Sequence, residues 1–203
     1  VRGANGVRNQ LCDLLSKEVP RKIPLLRAAW ELPERDLIGP DDVVFVSGDA
    51  PEQTIKETTV NVVNPRLLNT VRTGDINPQG EPEYHTTYAC RIYVWAIGED
   101  WFAAENMRDN LAAACRLSFL QYPTLTQAGG DTGYRVEEGT YTEDFGVPSR
   151  VNGSRCWSAA ILSVDVTVEE FIDDGSTRPG LGTADTVTPS VAAVGPIQPL
   201  PGE

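Results

Sequence analysis

The sequence predicts an α+β fold, a mixed or antiparallel sheet with one long helix packed across it. Three observations predict it. In "TTYACRIYVWAIG" (86–98), Tyr88, Cys90, Ile92 and Val94 alternate with Ala89, Arg91, Tyr93 and Trp95, the period of a strand. After Glu99 the period changes, and Ala103, Met107, Leu111, Ala114, Cys115 and Ser118 fall on one helical stripe. Near the end, Leu162, Val164, Val166 and Val168 alternate with Ser163, Asp165, Thr167 and Glu169, a second long strand.

Taken in order, residues 8–30 read as N-terminal helices. Leu11, Leu14 and Leu15 recur at helical spacing, Pro20 and Pro24 break the run, and Leu25, Leu26 and Trp30 resume it. "DDVVFVSGD" (41–49) is a short strand ending in a turn, and "TTVNVVNPRLLNTVR" (58–72) is an extended segment interrupted at Pro65. "TGDINPQGEPE" is a loop by its Gly, Pro, Asn and Asp content. The strand over 86–97 carries large apolar groups on both faces, so it is expected to be central and covered on both sides. The helix over 99–121 is roughly 35 Å long and ends at Pro123. Its stripe leaves Arg108, Ala112 and Arg116 on the far side. Residues 134–149 form an extended arm, and the strand over 156–172 is expected to leave the core as it proceeds.

From Asp173 the composition shifts to a dense Pro/Gly tail without a period. The chain therefore divides into a domain over 1–172 and an extension over 173–203. The extension has too few large apolar groups to fold alone, so its order must come from partners.

The 203-residue chain contains 40 % hydrophobic and 7 % aromatic residues, with a net charge of −12. Such acidity argues against a nucleic-acid binder, which needs a basic face. No run approaches a membrane span, and "VRGANGVRNQ" offers no apolar signal-peptide core. The chain reads as made and used inside a cell. Cys12, Cys90, Cys115 and Cys156 are scattered without metal-ligand spacing and read as reduced core thiols.

The chemistry inventory is empty. His85 is the only histidine and reads as a strand-edge residue rather than a catalytic base. No GxSxG elbow occurs. The glycine groups "QAGGDTGY" and "RPGLGTAD" lack the Gly-Lys-Ser/Thr of a phosphate loop. "NGS" at 152–154 matches a glycosylation sequon only formally. The acidic stretches "VEEGTYTED" and "VEEFIDD" lack EF-hand spacing. Trp95, Trp101 and Trp157 read as packing residues. No catalytic, metal or cofactor-binding residue is expected. The strand–turn–helix at 91–123, where α/β enzymes place their chemistry, carries none.

Three stretches carry a resemblance: "IPLLRAAWELPE" before "VVFVSGD", "YACRIYVWAIGEDWFAAENMRDNLAAACRLSFLQYP", and "AAILSVDVTVEEF". Over residues 8–172 the chain resembles the tail terminator family of long-tailed phages, also called tail-completion or head-to-tail joining proteins, with those of actinobacteriophages nearest in pattern. The resemblance implies a structural virion protein that forms a ring, usually hexameric, at the head-proximal end of the tail tube. Such a ring ends tube polymerisation, docks to the head's neck and leaves a channel for DNA. The implied partners are further copies of the chain, the tail tube protein, a head-side neck or stopper protein, and genomic DNA that passes without sequence-specific binding. No membrane and no cofactor are implied. The implied location is the virion, assembled in the host bacterial cytoplasm. The expected assembly contacts are Tyr141 and Phe145 on the arm and Val191, Val194, Ile197 and Leu200 on the tail. The alternatives are another head–tail connector, such as a head-completion or stopper ring, and, from a different class, a small cytoplasmic α/β enzyme.

Overall fold

In the computed structural model the described residues are 3–31, 38–39, 41–48, 57–76, 80, 82–126, 133–146, 149–150 and 155–171. Two helices and seven strands run in the order α1 (Gly3–Trp30), β1 (Val44–Ser47), β2 (Thr59–Val62), β3 (Arg66–Ile76), β4 (Pro82–Gly98), α2 (Trp101–Gln121), β5 (Tyr134–Phe145), β6 (Ser149–Arg150) and β7 (Cys156–Phe171). The sheet is mixed, in the order β1-β2-β4-β7-β5, with β3 also on β4 and β6 also on β7. Only β1 and β2 pair in parallel. This is the α+β class expected from the alternating periods.

The sheet is organised around β4 and β7, which pair from Glu83↔Phe171 to Gly98↔Cys156 without a shift. On the far edge of β4, β2 takes the C-terminal half and β3 the N-terminal half. They are one edge broken at Pro65, which cannot donate to a ladder. The hairpin joining β3 to β4 is tighter than the expected loop, because β3 runs to Ile76 and β4 begins at Pro82.

Both helices cover one face of this sheet. There Cys90, Ile92 and Val94 of β4 and Leu162, Val164 and Val166 of β7 are buried with Leu111, Cys115 and Phe119 of α2 and with the α1 stripe. The other face of β4 and β7 is half-exposed, and no described helix or strand lies over it. The expectation of cover on both sides is thus corrected. Large aromatic groups on an antiparallel sheet do not require a second layer, since cross-strand neighbours shield them in part. Nor does β7 leave the core as expected. Its helix-facing residues stay buried through Val168 and Glu170, and the polar alternation belongs to the open face.

The N-terminal region is one 28-residue helix rather than two. Pro20 is half-buried and Pro24 exposed, and the buried stripe Leu11, Leu15, Val19, Ile23, Leu26 continues past both. Each proline removes one backbone hydrogen bond, but on the outward side, so tertiary packing of the inner stripe holds the helix together. Two charged groups, Glu170 and Lys22, fix its position. Glu170 accepts from the Gly3 amide at 2.8 Å and from the Thr86 hydroxyl at 3.2 Å, which places a carboxylate at the positive end of the helix dipole. Further along, buried Glu18 meets Arg21 at 2.9 Å and Lys22 at 3.6 Å. Lys22 also donates to Gln121 and lies over the Tyr122 ring, tying α1 to the end of α2.

The strand-to-helix junction is set by sterics. A methyl group on Gly98 would sit 2.4 Å from the Ala104 nitrogen, so only glycine lets α2 fold back this closely. Asp100 then caps α2, its carboxylate accepting from the Ala103 amide at 2.8 Å. The buried face of α2 is broader than its expected stripe. Arg108 and Ala112, expected on the far side, are buried, while Arg116 is exposed and pairs with Glu143 at 2.9 Å. Arg108 is accommodated because Ser158 and the Gly146 carbonyl accept from Nη1 at 2.9 and 3.1 Å. Asp109 accepts from Nε at 2.8 Å, and the Phe145 ring lies 4.7 Å away.

Candidate interaction surfaces

Apart from single residues such as Leu25 and Leu120, the apolar groups open to a partner lie in three places. The first is β3, of which every residue except Thr73 is exposed. A strand normally hides one face. Here Leu67, Leu68, Val71 and Ile76 all face solvent, Ile76 at 64 %. It pairs with the N-terminal half of β4 (Arg66↔Ala89 to Ile76↔Pro82), which β7 flanks on the other side, and the outer edge of this β3–β4 arm has no partner strand among the described residues. The sequence signal was the adjacent pair Leu67-Leu68, and the ladder is irregular there, between Leu67 and Asn69.

The second place is the start of α2. Phe102 is 75 % exposed and Trp101 is also exposed, which corrects the reading of Trp101 as a packing residue. Both sit directly after the Asp100 cap, which fixes the backbone that presents them to solvent.

The third is the open face of the sheet. By register, Tyr93 is opposite Ile161, Trp95 opposite Ala159 and Ile97 opposite Trp157, and the Trp95 and Trp157 rings pack with centroids 5.0 Å apart. This aromatic half gives way along the strands to a polar half at Ala89↔Asp165, Thr87↔Thr167 and His85↔Glu169. Burial, and next the Glu137 carboxylate, raise the Asp165 carboxyl above its usual range.

Of the expected assembly residues, Tyr141 and Phe145 are described, and they face different ways. Phe145 is exposed on β5 under the Arg108 guanidinium. Tyr141 turns inward instead, its ring 6.1 Å from that of Phe119 and its hydroxyl donating to Glu143 at 2.7 Å. Burial, followed by that hydrogen bond, pushes the phenol well up. Val191, Val194, Ile197 and Leu200 lie outside the described residues, as do "NGS" and the second glycine group. All four cysteines are free, and three are buried. Burial raises the thiols of Cys90 and Cys115, which makes them poor nucleophiles. His85 is not at a strand end. It lies within β4, half-exposed, with Nε2 3.3 Å from Glu83.

No family model matches the chain. No curated protein matches it either. No helix among the described residues is long and apolar enough to cross a membrane.

Proposed function

We propose that the chain is the subunit of a structural ring of the tail-terminator type, ending the tail tube of a long-tailed phage and joining it to the head. The observation that carries this reading is the β3–β4 arm. Its large apolar groups, all on the edge strand β3, face solvent, and each stabilises an association by roughly 1.5–3 kcal/mol when fully buried. An apolar, unpaired edge of this kind is a ready surface for a neighbouring molecule. In a head-to-tail ring the contact patch of one subunit meets a different patch on the next. The arm, the exposed start of α2 and the aromatic half of the sheet are three distinct patches of that sort.

The acidity fits the same role. A net charge of −12 per subunit, multiplied around a ring, repels a passing polyphosphate and keeps DNA from sticking in the channel. The extension over 173–203 adds further contact with a neighbouring subunit or an adjacent ring. The partners are other copies of the chain, the tail tube protein and the head-side neck protein, and the location is the virion.

Electron microscopy of particles assembled without this chain tests the role. Filled heads beside separate tails of irregular or excessive length are expected. Normal-length tails joined to heads would exclude a terminator. Normal-length tails beside leaking, unsealed heads would instead assign the chain to the head-side stopper ring.

A further inference from the structure

A separate feature of the open face concerns ligation rather than assembly. We propose that Glu83, His85 and Glu169 form a binding site for one divalent cation of the zinc class. Glu83 and His85 are two residues apart on β4 and so share a face, and the sheet register sets Glu169 of β7 directly opposite His85. One ligand atom from each lies within 4.8 Å of the other two. The His85 Nε2–Glu83 Oε1 separation is 3.3 Å. Zinc bonded at about 2.0–2.2 Å in a tetrahedron needs ligand atoms about 3.3–3.5 Å apart. The first pair already stands at that spacing, and Glu169 reaches it by turning its side chain. Among the described residues, this is the group of ligating side chains that converges in this way.

The donor set selects the metal. Calcium takes six to eight oxygens, and magnesium keeps an octahedral, mostly aqueous shell. An imidazole with two carboxylates suits zinc or its neighbours in the first transition row. Two carboxylates also balance the charge of a dication. In its absence they face one another across a single imidazole, which can hydrogen-bond each only through a different ring nitrogen. The platform is rigid, since β4 at this point is flanked by β3 on one side and β7 on the other. An open cleft of about 540 Å³, lined by His85, Glu169, Thr167, Glu137 and Arg135 among others, adjoins the group. It leaves the fourth tetrahedral position to water or a small anion.

His85 is the only histidine in the chain, so its ring resonances in an NMR spectrum report on this site alone. Titrating the full chain with Zn²⁺ should move those resonances to saturation at one ion per chain, and Mg²⁺ at equal concentration should not. Glu169→Gln and, separately, Glu83→Gln keep shape and should lower the zinc affinity by roughly tenfold or more, without changing the melting temperature in metal-free buffer. Zinc that binds without moving the His85 signals, as it would through the thiols, overturns the proposal. So does an equal response to Mg²⁺, or an affinity unchanged in both carboxamide variants. The outcome does not depend on whether the chain forms a ring.

Discussion

The two faces of β4 and β7 alternate residue by residue along the same strands, yet they are built to different rules. The face under the helices carries Cys90, Ile92, Val94, Leu162, Val164 and Val166, all essentially without solvent contact. Two of its buried charges are tied, Arg108 to Ser158 and Gly146 and Glu170 to Gly3 and Thr86. The opposite face mixes an aromatic half with a charged half, and every described side chain on it keeps some exposure, except Asn61 at the β2 edge. Stability resides on the first face, where burial is complete and substitutions leave cavities or stranded charges. Recognition is free to vary on the second. One strand can therefore serve the fold and an assembly together.

Five substitutions test that division. The largest effect belongs to Leu111→Asp, which places a carboxylate in the fully buried helix–sheet contact and should cost on the order of 4–5 kcal/mol. A melting temperature equal to the parent's would put the stability elsewhere. Arg108→Ala comes next. It leaves the buried Ser158 hydroxyl short of its donor and should cost about 2–4 kcal/mol in denaturant unfolding. Arg116→Ala, on the exposed side of the same helix, should stay within about 0.5 kcal/mol.

On the open face, Trp157→Ser should lower the melting temperature only slightly while weakening self-association in sedimentation at micromolar protein. The reverse pattern, a large loss of stability with association intact, would mean that this face belongs to the core. The smallest effect is expected from Asp165→Asn. Burial and Glu137 raise the Asp165 carboxyl above its ordinary value of 3.8, so folding favours the protonated form. The parent then loses stability as pH rises through the raised value. The carboxamide should melt slightly higher than the parent at pH 7, and the difference should vanish below about pH 3. A variant that melts lower at pH 7 would contradict the sign.

The fold class, the two long strands and the helix between them were legible in the sequence because each is longer than a few periods, and alternation accumulates with length. Two kinds of feature were not. Pro20 and Pro24 read as breaks because local chemistry says so, and only the continuing stripe from Val19 to Leu26 shows why the helix survives them. Arg108 was placed on the far side of the helix by its spacing from the apolar stripe, and its burial depends on Ser158 and Gly146, far along the chain. The interaction surfaces were legible only in part. A sequence pattern can show that Leu67, Leu68 and Val71 are apolar in an extended segment, but not that all three are exposed to solvent. Likewise, nothing in "EYHTTY" and "VEEF" says that His85 and Glu169 are cross-strand partners. Register is a property of the assembled sheet.

The pairing of β4 with β7 also governs how the chain reaches this structure. Partners across that ladder lie roughly 60–90 residues apart along the chain, with α2 and β5 made in between. Closing a loop of that length is entropically slow, and non-local pairings of this kind place a domain toward the millisecond-to-second end of folding rates. Until β7 arrives, β4 presents a seventeen-residue edge to any strand nearby. A nascent chain crowded among identical chains is therefore most vulnerable to exchanging partners at this step. The rate of synthesis past Cys156 sets how long that interval lasts.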